Sequence, residues 1–247
     1  MRVFILGGIH EAVTLCNRLY RLGHATVYSV LKSGTASIPC SVEYGPYQSS
    51  EDLLAKLIRH GSEMLVDATH PYAMQIKQQA WQACQQLHIP LWRYHRPAWQ
   101  AEKQDLWIIK ENMSQVMHAL LSYQRPLFAV GRQALAFLDQ FESRQYWTIR
   151  CLQAADSGVR YRIIAAKGPF SLEEEVTLLK SNHIDVIVCK NSGGNAMSAK
   201  LLAARRLHMP VIMLARPAAS RATRQFSSLH ELEKNLNTSQ QSVTGGS

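Results

Sequence analysis

Apolar residues along this chain gather in short, near-continuous runs. Longer stretches separate them, in which apolar positions recur with helical spacing. Runs such as FIL, VIVC and VIML are too short for buried helices and too uniformly apolar for half-exposed strands. They fit strands covered on both faces of a parallel sheet. In the first half the pattern predicts strands at 2–6, 25–31, 64–68 and 90–94 and helices at 10–22, 50–60 and 72–87. In the second half it predicts strands at 106–110, 126–130, 146–150, 160–166, 184–189 and 210–214. The helices there fall at 112–122, 132–141, 171–182 and 195–207. Strands alternating with helices imply an α/β fold with doubly wound parallel sheets.

The two halves share one plan. LHIPLWRYHRP (87–97) and LHMPVIMLARP (207–217) repeat the string L-H-x-P-x5-R-P at an offset of 120 residues. At the same offset LVDATHPYA (65–73) falls on DVIVCKNSG (185–193), and near the start of each half VFILGG (3–8) resembles LFAVGR (127–132). Such internal self-similarity marks repeated units. The expected organisation is an N-terminal domain over 1–100, a C-terminal domain over 101–234 and a frayed polar tail over 235–247. The unusual loops at Gly7–Glu11, Ala68–Tyr72, Gly131–Gln133 and Lys190–Gly194 all follow a strand. That is where doubly wound sheets bind ligands, and two domains with facing loops would form a cleft.

Composition narrows the class. The chain has 247 residues, 47% of them apolar, enough for a sizeable core. The apolar run before Gly7 is too short for a signal peptide, and no stretch reaches the ~20 apolar residues that span a bilayer. Cys16, Cys40, Cys84, Cys151 and Cys189 are scattered and never spaced C-x-x-C. They are expected as free thiols of a cytoplasmic protein, neither a disulfide framework nor a zinc site. The net charge of +9 is spread along the chain, with one dense cluster at Arg216–Arg224. A nucleic-acid partner therefore has little beyond charge to support it, and a small ligand with several carboxylates or phosphates fits at least as well.

The loops suggest what such a ligand meets. GGIHE (7–11) stands between a strand and a helix, where glycines let a phosphate approach backbone N–H groups at a helix N-terminus; a tight turn explains it equally well. The second strand, VYSVLKSGT (27–35), carries Ser29, Lys32 and Ser33 but no acid. A cofactor lacking a 2′-phosphate usually meets an acid there, so NADP(H) is favoured over NAD(H). Tyr28 and Lys32 match by letters the Tyr/Lys pair of short-chain dehydrogenases, but the second strand is the wrong place for that role. In DATHPYA, Pro71 suits the first turn of a helix, leaving Thr69 and His70 at the loop mouth to bind a ligand or cap the helix. KNSGG (190–194) offers an ammonium, an amide, a hydroxyl and flexible N–H groups, which suit an anion. Lys167 precedes a helix that Ser171 is placed to cap, and Glu173–Glu175 reads as its solvated start. No metal-ligand string and no G-x-S-x-G elbow occurs.

Taken together, GGIHEA, DATHPYA, RPAW (96–99), GRQAL (131–135), KGPF (167–170), CKNSGG, AKLLAARRL and MPVIMLARP resemble, in order and spacing, the precorrin-6A reductase family of cobalamin biosynthesis, over about residues 2–217. The resemblance implies two Rossmann-like domains flanking a cleft. It also implies hydride reduction of one double bond in a polycarboxylate corrin precursor, metal-free or cobalt-containing, by a nicotinamide cofactor. It carries over a cofactor set of Gly7, Gly8, Ile9, His10, Glu11, Gly131, Arg132 and Lys190, Asn191, Ser192, Gly193, Gly194. The implied substrate set is Thr69, His70, Pro71, Tyr72, Arg96, Trp99 and Lys167, with Pro97 in the same element. No residue is assigned as a catalytic acid, and no metal is expected. The chain departs from the family pattern in three places. Ile9 and His10 replace a usual Thr, Lys167 replaces an arginine and so loses bidentate geometry, and YGPYQSS (44–50) replaces a glycine-rich segment. These departures motivate a second reading, a nucleotide- or tetrapyrrole-binding module without turnover.

Overall fold

The computed structural model describes the chain except residues 32–37, 141, 195–197, 219 and 245–247, and the side chains of 239–244. Two compact units result. Unit 1 comprises Met1–Arg96 together with Pro217–Ser247, and unit 2 comprises Pro97–Arg216. The chain passes from one to the other twice, each time at one of the repeated Arg-Pro pairs.

Unit 1 contains β1 (Arg2–Leu6), α1 (His10–Arg21), β2 (Ala25–Val30), β3 (Ser41–Tyr44), α2 (Ser50–Arg59), β4 (Met64–Asp67), α3 (Met74–Leu87) and β5 (Leu91–Tyr94). Unit 2 contains β6 (Trp107–Lys110), α4 (Met113–Ala119), β7 (Pro126–Ala129), β8 (Trp147–Cys151), β9 (Tyr161–Ala165), α5 (Leu172–Ser181), β10 (Val186–Lys190), α6 (Ala199–Arg206) and β11 (Val211–Leu214). β12 (Arg224–Phe226) and α7 (Leu229–Thr244) return to unit 1. Among the described residues each unit holds one six-stranded sheet, ordered β12-β5-β4-β1-β2-β3 and β6-β11-β10-β7-β8-β9. Every strand pair is parallel. Read from β3 or β9, both follow the doubly wound order, whose reversal falls between β1 and β4 and between β7 and β10.

The period-2 alternation of β1 explains why its run is apolar throughout. Val3 and Ile5 face Leu15 and Leu19 of α1 and Leu232 and Leu236 of α7. Phe4 and Leu6 face Leu53 and Leu57 of α2 and Ala80 and Ala83 of α3. Burying one such side chain is worth about 1.5–3 kcal/mol. In unit 2, Leu127, Ile187 and Met213 pack against Leu179 of α5 and Leu201 of α6. Helices α2 and α5 start on reciprocal capping boxes, Ser49 with Asp52 and Ser171 with Glu174.

The L-H-x-P repeat has a conformational basis. His88 and His208 both adopt left-handed φ values, 55° and 48°, just past a helix. The next residue then donates five positions back, Ile89 to Cys84 (3.1 Å) and Met209 to Ala204 (2.8 Å). The following Pro90 and Pro210 carbonyls accept from Leu65 and Ile187. Leu65 thus corresponds to Ile187, two residues beyond the fixed offset, so Thr69 matches Asn191 and not Cys189.

Several expectations are corrected. Residues 217–234 do not belong to the second domain, because β12 hydrogen-bonds to β5. The polar tail is not frayed from 235, because Leu232 and Leu236 anchor α7 on α1. The helix expected from residue 72 starts at Met74, and Pro71 lies in the preceding turn instead of a first helical turn. Residues 131–140 form 3-10 turns and not an α-helix. The Glu run is solvated only in part: Glu175 is buried against Arg150, 2.9 Å away. Among the described residues, no helix is long and apolar enough to cross a membrane.

Candidate functional site

In unit 1 the strand-end loops on both sides of the sheet reversal meet in one pocket of about 450 Å³. Its walls include Gly7, Ser29, Tyr47, Thr69, Tyr72 and Gln79. β1 ends at Leu6, and Gly7 donates its N–H to the Ser29 carbonyl at 2.7 Å. A Cβ at Gly7 would collide with the Tyr28 phenol, so any side chain there requires the buried Tyr28 ring to move. Gly8 takes φ = 138°, with open space where a Cβ would stand. Ile9 is the N-cap of α1 in extended conformation and provides no side-chain cap. The first turn of α1 therefore keeps backbone N–H groups for an incoming anion. His10 is exposed at that turn, and Glu11 is held by Arg96 Nη1 at 3.4 Å.

The opposite wall is fastened from below by a buried carboxylate. Asp67 ends β4 beside Arg93 of β5 in register, and Lys77 lies on the first turns of α3. Asp67 accepts from Arg93 Nε at 2.6 Å, from Lys77 Nζ at 3.0 Å and from the Thr69 amide (3.0 Å) and hydroxyl (2.6 Å). Burial alone would raise its pKa, but Lys77, Arg93 and Thr69 outweigh it and hold the carboxyl below its ordinary value. Burial lowers Lys77, with Asp67 opposing. Lys77 also donates to Thr69 Oγ1 at 3.0 Å. With its hydrogen committed to Asp67, Thr69 can only accept from a further partner. Thr69 does not cap α3, whose N-cap is Ala73. His70 Nδ1 accepts from the Tyr72 amide at 3.3 Å, and the two rings tilt together with centroids 5.6 Å apart. On the β2–β3 side, the Ser29 and Tyr47 hydroxyls are 2.6 Å apart and Gln79 Nε2 donates to the Tyr47 carbonyl at 3.3 Å. Lys32 and Ser33 lie outside the described residues, and Tyr28 is 4% exposed with its hydroxyl spent on the glycine turn.

In unit 2, KNSGG and RPAW, far apart in sequence, are fastened to one another. Asn191 accepts from the Trp99 amide at 2.8 Å and donates to the Trp99 carbonyl at 3.0 Å, as a strand partner would. The Trp99 indole donates to the Gly194 carbonyl at 2.8 Å, and Lys200 Nζ sits 4.9 Å above the ring. Arg216 donates to the Asn191 carbonyl at 2.7 Å and to the Pro97 carbonyl at 3.3 Å. Gly193 has φ = 67°, and a Cβ there would stand 2.1 Å from the Pro97 oxygen. Gly194 also takes a left-handed φ, 75°. Lys190 at the end of β10 is half-buried, which lowers its pKa, and Ser192 donates its amide to the Lys190 carbonyl at 2.8 Å. Gly131 (φ = 70°) turns the chain after β7, where Arg132 is exposed. Lys167 is exposed after β9, three residues before Phe170, whose ring lies 4.5 Å from the Arg150 guanidinium.

The expected cofactor and substrate sets are thus regrouped. Gly7 shares a pocket with Thr69 and Tyr72, Glu11 pairs with Arg96, and Asn191 and Gly194 join Trp99. Sequence reasoning missed Asp67, Lys77 and Arg93, together with Tyr47, Lys200 and Arg216. The one legible signal was Asp67 itself, an acid ending an otherwise apolar strand.

Comparison with known proteins gives consistent matches. Residues 2–237 match the family described as "Precorrin-6x reductase CbiJ/CobK". A precorrin-6A reductase of Rhodobacter capsulatus is 32% identical over 88% of each chain. A cobalt-precorrin-6A reductase of Priestia megaterium is 25% identical over 87% of this chain and 90% of its own. A solved structure titled "CobK precorrin-6A reductase" aligns with a TM-score of 0.84 at 30% identity, covering 96% of this chain and 97% of the other.

Proposed function

The chain belongs to the precorrin-6x reductase family, and from that membership we propose that it reduces precorrin-6A in cobalamin biosynthesis, with a nicotinamide dinucleotide held at the glycine turn of unit 1. The observation that carries the placement is the turn itself. Gly7 and Gly8 stand at the sheet reversal, before a helix whose N-cap supplies no side chain, beside a 450 Å³ pocket. A pyrophosphate fits that combination, with Ile9, His10 and Glu11 forming the first turn behind it.

NADPH is the favoured nucleotide. The described end of β2 offers Ser29, Val30 and Leu31, and no acid to hold a bare ribose. When bound, the nucleotide supplies the hydride. The chain's own contribution is to bind, orient and exclude water. Thr69 offers a lone pair to a donor on the ligand, and His70, Pro71 and Tyr72 shape the same wall. Arg132, Lys167 and Lys190 meet the carboxylates of the macrocycle, and Trp99, fixed at both its amide and its indole, offers a rigid flat face. Arg96 positions Glu11. In unit 2, Asn191, Ser192, Gly193 and Gly194 keep the loop after Lys190 in shape, and Gly131 does so for Arg132. The metal-free macrocycle is favoured over the cobalt form because the metal-free relative is 32% identical and the cobalt relative 25%.

The test is turnover of precorrin-6A and cobalt-precorrin-6A with NADPH and NADH, side by side. The expected result is nucleotide oxidation only when a macrocycle is present, fastest with precorrin-6A and NADPH. Folded protein that binds nucleotide but turns over neither macrocycle is the binding module instead.

A further inference from the structure

Behind the glycine turn lies a pair of thiols that the reduction does not use. Cys16 sits on the inner face of α1, and Cys40 immediately precedes β3, with their sulfurs 3.1 Å apart. A disulfide spans about 2.05 Å, so the sulfurs need approach by only about 1 Å more. Cys16 is fully enclosed, whereas Cys40 is partly exposed. That division of labour suits thiol–disulfide exchange, in which an accessible sulfur is attacked first and a buried one resolves.

The surroundings make Cys40 the more reactive. The hydrogen bond shared with Cys16 lowers Cys40 most; burial opposes it, and the Thr26 hydroxyl and the Tyr28 amide add to it, bringing Cys40 down to about 6. The Thr26 hydroxyl, buried and lacking a conventional hydrogen-bond partner, lies close enough to shift both sulfurs. The same hydrogen bond, with burial, pushes Cys16 up. The remaining cysteines have no such help: burial pushes Cys84 up to about 12 and Cys189 to about 11, and raises Cys151.

Tyr28 connects the pair to the turn. Its phenol feels both sulfurs, receives a hydrogen bond from the Gly8 backbone, and fills the space where Gly7 has no Cβ. A shift of α1 against β3 therefore reaches Gly7 and Gly8 through this side chain as well as through the backbone, since Ile9 and His10 follow them directly.

We propose that Cys16 and Cys40 form a reversible dithiol–disulfide pair whose oxidation is transmitted through Tyr28 to the Gly7–Gly8 turn. The oxidant is a low-molecular-weight disulfide of the glutathione type. The Cys40 thiolate attacks one of its sulfurs and expels one thiolate, giving a mixed disulfide. That expelled thiolate takes the Cys16 proton, and Cys16 attacks the Cys40 sulfur and expels the second thiolate, which is protonated by water. Two protein thiols are oxidised by two electrons, and one external disulfide is reduced to two thiols. The transmission rests on the reading of the turn as the nucleotide site; the disulfide does not.

Peptide mapping after oxidised glutathione tests the pair. The expected product is a Cys16–Cys40 cross-link, with free thiols falling from five to three and recovering with dithiothreitol. Cys16→Ser is expected to trap glutathione on Cys40. Because Cys16→Ser alters a fully buried side chain and could misfold, iodoacetamide labelling of each cysteine in the wild-type protein is the second measurement, with Cys40 expected about tenfold or more ahead of Cys189. Absence of the cross-link, or labelling of Cys40 no faster than Cys189, overturns the pair. NADPH affinity of the reduced and cross-linked protein then tests transmission, with weakening of about tenfold expected. Equal affinities overturn the transmission, whereas no NADPH binding in either state, with the cross-link formed, overturns the nucleotide reading.

Discussion

The two units share a strand order but put their strand-end loops to different use. In unit 1 the loops after β1 and β4 stand apart and line a pocket, and their stiffness comes from below, through the buried Asp67–Lys77–Arg93 cluster. In unit 2 the loop after β10 is fastened from above, by Trp99, which follows the first repeat, and by Arg216, the arginine of the pair that ends the second. The corresponding positions show the difference most directly. Thr69 gives its hydroxyl to a carboxylate two residues earlier, while Asn191 gives its amide to a backbone ninety-two residues away. A shared topology therefore decides where loops emerge, and the side chains after each strand decide whether they stay open.

The largest test of that contrast is Asp67→Ala set against Glu175→Ala. Removing Asp67 strands two buried cations and is expected to cost about 3–5 kcal/mol, whereas Glu175→Ala strands only Arg150 and costs less. Urea unfolding measures both, and equal losses would erase the distinction. Next come the glycines. Gly193→Ala forces a left-handed backbone and a collision with the Pro97 carbonyl, so it is expected to cost at least about 1–3 kcal/mol. Gly8→Ala is strained at φ = 138° but meets open space, so it is expected to lower the melting temperature less than Gly193→Ala, which adds a collision, and to raise nucleotide KM. The reverse pattern would exchange the roles assigned to the two loops. The smallest effect concerns α7, which follows β12 as α4 follows β6. His24, buried, donates from Nε2 to Asn237 Oδ1 at 3.2 Å, and burial holds its pKa below the ordinary 6.5. A depressed folded value means the full contribution is present above pH 6.5 and is lost as pH falls towards the folded pKa. Hydrogen-exchange protection of α7 should therefore weaken below pH 6.5, and weaken less in His24→Asn.

Much of this was legible in the sequence. The apolar runs marked both sheets because a strand covered on both faces has no polar side to show. L-H-x-P was legible as a repeat but not as two left-handed helix ends, and the first Arg-Pro pair lay near the expected boundary while the crossing at the second went unread. What stayed hidden depends on residues that meet only after the sheet assembles. Lys77 and Arg93 are ordinary cations until register sets Arg93 beside Asp67. The Asn191–Trp99 bonds are likewise invisible to any local window. β12 is three residues long and polar at two of them, with no signal of its own. α7 did carry one, since Leu229, Leu232 and Leu236 recur at helical spacing within a polar stretch.

The placement of β12 has a consequence for how the molecule is made. Unit 2 is a continuous stretch of chain, complete once residue 216 has emerged from the ribosome. Unit 1 begins first yet lacks its sixth strand until residue 226 appears, so β5 waits as an unpaired sheet edge through the synthesis of more than a hundred residues. The later half of the protein can therefore finish folding before the earlier half, reversing the usual order of translation.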